Sequence, residues 1–307
     1  MNTLDDWLAE WQLVLDSSGK VVDKTVTVYL RTGRQFLAWL RTTHPDVVEP
    51  AAITPRVCRE WMAHLTAAGK AEATRRRDGI AVRKFLGYIA AESDSGLEAN
   101  PAAVLDLPMA PVKPVMVLDD ETLGVLLRSM AGNDFMDRRD TAIVRLLLDT
   151  GLRREELVTI DVDDLDLRRQ EVTVTGKGSK TRTVPFSNRT ALGLRKYLRV
   201  REQRPAAGHP ALFLSLRPSA RGEWRLTGGG VGEMFTRRAE AAGLAHLYPH
   251  MMRHTWAADL KAAGVHDDHL ERLAGWSTPT MSRRYGNAVA DQQARAAARK
   301  LARGDRV

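Results

Sequence analysis

The stretch Thr150-Gly-Leu-Arg-Arg-Glu-Glu-Leu157 lies near the middle of the 307-residue chain and decides how its second half is organised. Helical sequence extends to about Thr150, and the glycine that follows is a strong turn signal. Arg153 comes directly after this glycine turn and before a new helix. The stretch therefore predicts two helices that are joined by a tight turn carrying an arginine.

A β-hairpin is predicted downstream of this turn. Segments 171–175 and 180–184 show strand-like alternation and are rich in β-branched residues, which favours strands. The intervening Gly176-Lys177-Gly178-Ser179 predicts the turn and places Lys177 at its tip. A lysine at such a tip is usually only part of a turn, and the upstream glycine of a Walker A loop is missing here.

Two further segments carry reactive side chains. In His250-Met-Met-Arg253-His254, His250 and Arg253 are three positions apart and therefore share one face of a helix. Gly275-Trp276 is followed nine residues later by Tyr285. Taken singly, each residue has an ordinary explanation, because the aromatic side chains would usually belong to a core. Taken as a set, the four segments suggest one reaction.

That reaction is transesterification at a phosphodiester. It requires cations that clamp the non-bridging oxygens, for which the rigid fork of arginine is well suited. It also requires a hydroxyl nucleophile, a base that takes its proton and an acid that protonates the leaving 5′-oxygen. An indole N–H can brace a phosphate oxygen but moves no proton. Arg153 and Arg253 are assigned to the clamp, and Tyr285 to the nucleophilic attack. His250 is assigned as the base that takes the proton of the tyrosine, and Lys177 as the acid that protonates the leaving group. Trp276 is assigned as the brace.

The four segments resemble the tyrosine recombinases, the family of phage integrases, Cre and the Xer recombinases. Thr150-Gly-Leu-Arg153 with Glu156-Leu157 is similar to the TGLR-x-x-E-L box, Gly176-Lys-Gly-Ser-Lys-Thr-Arg-Thr-Val-Pro185 to the GKG hairpin, and Pro249–His254 to the PH-x-x-RH box. Leu273-Ala-Gly-Trp276 departs from the usual LGH, so Trp276 stands where the family mostly has histidine. The resemblance implies that Arg153 is the first catalytic arginine, Glu156 its supporting acid, Lys177 the general acid and Tyr285 the nucleophile.

The resemblance also implies an activity and an assembly. We expect a site-specific recombinase that cuts and rejoins double-stranded DNA core sites through a 3′-phosphotyrosine intermediate, with no cofactor and no metal. The family forms a homotetramer on two DNA sites, and each protomer clamps the duplex between a helical core-DNA-binding domain and a catalytic domain. It further implies that the tail after Tyr285 docks on a neighbouring protomer.

The fold class predicted by the pattern as a whole is mainly α with a small β-hairpin or sheet. Periodic apolar residues, including several tryptophans that we assign to the core, predict helices in the first hundred residues. Closely spaced prolines then indicate a semi-extended strap. We therefore expect a helical core-binding domain at 1–106, a Pro-rich linker at 107–118, a mixed α+β catalytic domain at 119–290 and a tail at 291–307.

Charge points to a polyanion partner. The chain has 46 Lys and Arg against 38 Asp and Glu, a net charge of +8, although many basic proteins bind no nucleic acid. Residues 1–110 hold 13 basic and 14 acidic residues, so the excess lies in the remainder. One basic cluster still lies in the first part, and we assign it either to DNA contacts or to a solvated helix face. Its members are Lys70, Arg75, Arg76, Arg77, Arg83 and Lys84.

Composition excludes several other classes of protein. No stretch approaches the about 18 uninterrupted apolar residues of a membrane span, and the acidic start of the chain is unlike a signal peptide. The single cysteine, Cys58, forms no internal disulfide. We therefore expect a cytoplasmic protein without a membrane partner.

Three rival interpretations remain open. His250 and His254 have the i, i+4 spacing of zinc ligands, but the glutamate of H-E-x-x-H is absent and Arg253 would repel a dication. A non-catalytic DNA-binding protein on the same fold would keep the basic surface but lose the reactive residues. A type IB topoisomerase would share the phosphotyrosine chemistry and relax DNA without strand exchange.

Overall fold

The structure, a computed structural model, describes residues 3–19, 23–109, 116–176, 180–276 and 299. The chain divides into two compact units, residues 1–113 and 114–307. In the described ranges the secondary structure is mainly helical, with one three-stranded antiparallel sheet. The predicted fold class is therefore confirmed.

The first unit is built from helices that bury aromatic residues. Trp7, Trp11 and Trp61 are all less than 5% exposed, which confirms that these tryptophans belong to the core. Thr54 caps the third helix by accepting a hydrogen bond from the backbone N–H of Val57, as is common at helix starts. The helices are α1 (Leu4–Ser17), α2 (Asp23–Thr43), α3 (Pro55–Ala67) and α4 (Glu72–Ile89), with a 3₁₀ turn at Pro50–Ala52.

The second unit places seven helices, among its described residues, around a small sheet. Its central helix α6 is amphipathic, and it buries Ile143, Leu146 and Leu147 completely. The helices are α5 (Asp120–Arg128), α6 (Phe135–Thr150), α7 (Arg154–Thr159), α8 (Asn188–Arg201), α9 (Gly228–Ala241), α10 (Pro249–Ala262) and α11 (Asp267–Ala274). None of the helices in the described ranges has the length and apolar character that a bilayer crossing requires.

The sheet contains the predicted hairpin. Its strands are β1 (Leu165–Asp166), β2 (Glu171–Thr175) and β3 (Thr181–Pro185), in the order β1-β2-β3. Val172 pairs with Val184 and both are buried, whereas Thr173 and Thr183 share a hydrogen bond on the opposite face. Because side chains alternate along a strand, the residue two positions before Val184 also faces inward. That residue is Arg182.

Candidate active site

Arg153 is presented by the turn between α6 and α7. Gly151 ends α6 in the left-handed region, at φ 58°, where a side chain would be strained. The chain then buries Leu152 and reaches Arg153, which is the N-cap of α7. The predicted glycine turn is confirmed, and it leaves the Arg153 side chain 39% exposed.

Glu156 lies one turn further along α7 and is the central acceptor of the site. Its carboxylate is only 5% exposed. Oε2 accepts the backbone N–H of Arg153 at 2.9 Å, and Oε1 accepts Nη1 of the same residue at 2.6 Å. Glu156 thus fixes both the backbone and the guanidinium of Arg153, which is the contact expected of a supporting acid.

A second arginine, Arg182 of β3, meets the same carboxylate. Its Nη2 donates to Oε2 of Glu156 at 2.7 Å and its Nη1 to Oε1 at 3.1 Å. Burial by itself would raise the pKa of Glu156, but hydrogen bonds from Arg182 and Arg153 outweigh it and hold the pKa below its ordinary value. Glu156 is therefore ionised and shared between two cations.

Arg182 belongs to the predicted hairpin, but its sequence box alone indicates no role for it. A signal was nevertheless present, because the alternation that directs Val184 inward also directs Arg182 inward. Arg182 pairs directly with the buried Val174 of β2. An arginine on the apolar face of a strand requires a buried acceptor, which here is Glu156.

Arg253 approaches from α10 and is 1% exposed. Its Nη1 donates to the carbonyl of Gly151 at 2.5 Å and its Nη2 to the carbonyl of Ala274 at 2.7 Å. The Cζ atom lies 5.3 Å from the ring centroid of Trp276, within the range of a cation–π contact. Arg253 therefore ties the α6–α7 turn to the end of α11.

Three arginines meet at that end of α11. Arg182 donates to the carbonyl of Leu273 at 2.8 Å, Arg253 to that of Ala274 at 2.7 Å, and Arg153 to that of Gly275 at 3.3 Å. The last carbonyls of a helix have no partner within the helix and carry partial negative charge. Cations from three separate elements therefore satisfy three successive carbonyls immediately before Trp276.

The structure thus brings Arg153, Glu156, Arg253 and Trp276 into one cluster. His250 lies one turn before Arg253 on α10, and its ring centroid is 4.3 Å from that of His254. Lys177 and Tyr285 lie outside the described residues. The described part of the chain contains no group of three or more His, Cys, Asp or Glu side chains arranged for a metal.

The basic cluster of the first unit is partly engaged within that unit. Arg76 donates to the carbonyls of Leu107 and Pro108 at 3.5 and 3.3 Å. Arg83 donates to the carbonyl of Ala102 at 3.1 Å and also to that of Leu105. These two arginines hold the segment that follows α4, which accounts for their conformations without DNA.

The remaining members of the basic cluster differ from one another in their contacts and exposure. Arg75 donates to the Thr66 hydroxyl and Arg77 to the Asp78 carboxylate. Lys70 and Lys84 are exposed, as a phosphate contact requires. A role for any of the six residues in binding DNA stays a prediction.

Comparison with known proteins identifies relatives of this chain. The profile described as "Phage integrase family" matches residues 118–292, and "Phage integrase, N-terminal SAM-like domain" matches residues 8–93. Tyrosine recombinase XerC of Corynebacterium efficiens is 32% identical over 257 residues, which cover 83% of this chain and 78% of that protein. XerC of Corynebacterium glutamicum is 32% identical over 228 residues, or 74% and 71% of the two chains.

Solved structures show the same fold at low identity. An integrase of the transposon Tn1549, in complex with transposon right end DNA, superimposes with a TM-score of 0.73 at 20% identity, over 98% of this chain and all of that one. The XerH recombinase bound to a palindromic difH substrate gives 0.72 at 19% identity, over 96% and 94% of the two chains. Together with the family profile and the XerC relatives, this establishes that the chain belongs to the phage integrase family and is a tyrosine-type site-specific recombinase.

Proposed function

We propose that this recombinase cuts double-stranded core sites by attack of Tyr285 on the scissile phosphodiester, with Arg153 and Arg253 as the phosphate clamp. The observation that carries the proposal is the convergence of Arg153, Arg253 and Trp276 at the end of α11. A guanidinium has five N–H groups. Arg153 uses two of them, on Glu156 and Gly275, and the others have no partner in the described part of the chain. Those donors and the partial exposure of Arg153 suit a phosphate.

The remaining roles follow from the chemistry of each side chain. The oxygen of Tyr285 forms a bond to phosphorus while the bond to the 5′-oxygen breaks, which leaves a 3′-phosphotyrosyl enzyme. His250 takes the proton of the tyrosine, and Lys177 supplies a proton to the 5′-oxygen. Trp276 donates one neutral hydrogen bond. Rejoining reverses these steps with a 5′-hydroxyl from the partner strand.

We further propose that four protomers assemble on two core sites. The tail at 291–307, which is expected to dock on a neighbour, lies outside the described residues except for residue 299. The support comes from relatives: the XerH structure contains a palindromic DNA substrate, and the Tn1549 structures contain circular-intermediate or transposon-end DNA. A palindromic site matches a pair of protomers related by twofold symmetry. Since its substrate is DNA, we place the protein in the cytoplasm.

The test is a covalent-adduct assay with wild-type enzyme and Tyr285→Phe. The substrate is a nicked duplex that carries the site which the wild-type chain selects by binding from a random-sequence library. Wild type should form an adduct that survives denaturation, and Tyr285→Phe should bind the same duplex but form none. An adduct with the phenylalanine variant would exclude Tyr285 as the nucleophile.

The same wild-type preparation separates recombination from the topoisomerase alternative. Recombination predicts strand exchange between two copies of the selected site and no exchange between unrelated sequences. Relaxation of supercoiled plasmids that lack the site, without exchange, would instead favour a type IB topoisomerase. Binding with neither cleavage nor exchange would favour the non-catalytic alternative.

A further inference from the structure

We infer that Arg182 is a positioning residue for DNA cleavage, because it links Glu156, the acid that orients Arg153, to the carbonyl of Leu273 at the end of α11. This inference rests on the proposed function, since it assigns Arg182 a part in the reaction of the same site. Arg182 itself is not expected to contact DNA. All three nitrogen atoms of its guanidinium donate to protein acceptors, Nη1 and Nη2 to the carboxylate of Glu156 and Nε to the carbonyl of Leu273.

The first step of the argument is how Arg182 holds Glu156. Two roughly parallel N–H···O bonds join the guanidinium to the carboxylate, which is the strongest and most directional form of this pair. Each carboxylate oxygen also accepts one bond from Arg153. The rotamer of Glu156 is therefore fixed from both sides, and Arg153 takes its orientation from a carboxylate that Arg182 immobilises.

The second step concerns charge. Glu156 carries one negative charge that two guanidinium groups share. If Arg182 were neutral, that charge would be compensated by Arg153 alone, and Arg153 would be drawn toward Glu156. A phosphate would then compete less well for the same guanidinium. With Arg182 present, Glu156 compensates only part of the positive charge of Arg153, and the remainder can attract a phosphate.

The third step is the contact with α11. The Nε atom of Arg182 donates to the carbonyl of Leu273, three residues before Trp276. Gly275 lies between them at φ 62°, and a Cβ there would come within 2.9 Å of Nη1 of Arg182. A side chain at residue 275 would therefore require the guanidinium to shift. Arg182 therefore holds the point where the chain leaves α11 toward Trp276.

A matched control exists in the same unit. Arg225 donates to the carbonyls of Val158 and Ile160 at 3.0 and 3.3 Å and to the Asp161 carboxylate at 2.6 Å. It thus combines carbonyl and carboxylate contacts as Arg182 does, but at a different place. Arg225→Gln therefore measures how much cleavage slows when an arginine with similar contacts, but none to Glu156 or α11, is removed.

The experiment compares wild type, Arg182→Gln, Arg182→Lys and Arg225→Gln on the selected nicked duplex. Binding is measured as Kd, and cleavage as the single-turnover rate of adduct formation at saturating enzyme, which separates chemistry from binding. We expect Arg182→Gln to bind within about threefold of wild type and to cleave about 10- to 100-fold more slowly, the loss typical of outer partners of a functional group. Arg182→Lys keeps the charge but not the fork, so its rate should be intermediate.

A double variant tests the route through Glu156. If Arg182 acts by holding that carboxylate, Arg182→Gln with Glu156→Gln should cleave no more slowly than the slower single variant. Fully additive losses would overturn this route. Equal cleavage rates for Arg182→Gln and Arg225→Gln would overturn the inference while a wild-type adduct still upheld the proposed function.

Two outcomes remain. If Arg182→Gln does not fold, Arg182→Lys decides the matter, and a wild-type cleavage rate in that variant would overturn the inference. If wild type itself forms no adduct, the proposed function fails and the inference fails with it. The two failures are therefore distinguishable from one set of proteins.

Discussion

Among single residues, Glu156 is the one that joins Arg153 to Arg182. It is a buried carboxylate that accepts four hydrogen bonds from two arginines. A buried charge is tolerated only when its partners compensate for lost hydration. The lowered pKa of Glu156 shows that the compensation exceeds the cost of burial. The same contacts stabilise the fold and orient Arg153.

This pKa predicts how stability depends on pH. Because the pKa of Glu156 is lower in the folded chain than the about 4.3 of an unfolded glutamate, ionised Glu156 stabilises the fold above that value. The contribution is lost as the pH falls through the folded-state pKa. We expect Glu156→Gln to lower the free energy of unfolding by roughly 2–3 kcal/mol at pH 7. Urea titrations of both proteins between neutral and acid pH should show this difference shrinking toward the acid end. A difference that does not change with pH would contradict the assignment.

The clamp arginines and Trp276 should respond very differently to substitution. Arg153→Ala or Arg253→Ala removes a preorganised charged donor, which typically costs about 100- to 1000-fold in rate. Trp276→His keeps a donor and should cost far less, although the packing of the indole over Arg253 is reduced. Single-turnover cleavage of the nicked duplex measures all three. If Trp276→His loses as much rate as the arginine variants, the main role of Trp276 is to seat the segment that leads to Tyr285.

Among elements, two helix ends carry the site. α6 ends at Gly151 and α11 ends at Gly275, and both glycines adopt the left-handed conformation. Arg153 and Trp276 follow them within two residues. Helix ends can hold the arginines of the site because their last carbonyls have no partner within the helix and accept hydrogen bonds from the guanidinium groups. The position of the proposed clamp thus depends on how α6 and α11 terminate.

The end of α6 can be tested with a matched pair of glycines. A Cβ on Gly151 would lie 2.1 Å from Cε3 of Trp256, whereas at Gly243, with φ 65°, a Cβ would meet nothing within 4 Å. Gly243→Ala should cost about 1–2 kcal/mol of stability from backbone strain alone. Gly151→Ala adds an overpacking cost of about 1–3 kcal/mol. Thermal or urea unfolding of both variants measures the contrast, and equal losses would show that Trp256 moves away without cost.

At the scale of the whole molecule, the two units have separate hydrophobic cores. In the described residues, the proposed clamp lies entirely in the second unit. The charge excess lies in the same part of the chain, since the first 110 residues are nearly neutral. The second unit therefore combines the proposed chemistry with the excess of positive charge.

Cleavage by the whole enzyme should not depend on a divalent metal. The cations assigned to the phosphate are Arg153, Arg253 and Lys177, which carry their charge without a metal. We expect the rate of adduct formation to stay within about twofold after dialysis against EDTA. A loss of activity that magnesium or zinc restores would contradict this and favour the metal interpretation of His250 and His254. The same DNA incubated with the dialysis buffer, without enzyme, serves as the control.

Local signals in the sequence predict the elements and the chemical types of the site. The helix start at Thr54-Pro55, the turn at Gly151 and the β2–β3 hairpin depend on capping, left-handed backbone and alternation within a few residues. Such signals are local, so one chain is enough to read them. The boxes around Arg153, Glu156, Arg253 and Trp276 likewise indicate a phosphate chemistry through their residue types alone.

The partners that those residues take depend on the packed chain. Alternation directs Arg182 inward, but nothing local indicates that Glu156, 26 positions away, is its acceptor. The same holds for Arg253 and the carbonyl of Gly151, which are 102 positions apart. Arg76 and Arg83 belong to a basic cluster whose sequence fits either DNA contacts or a solvated helix face, yet the fold directs both to carbonyls of their own unit. A guanidinium binds a phosphate, a carboxylate or a carbonyl with the same donors, so its partner is chosen by whichever acceptor the packed chain brings within reach.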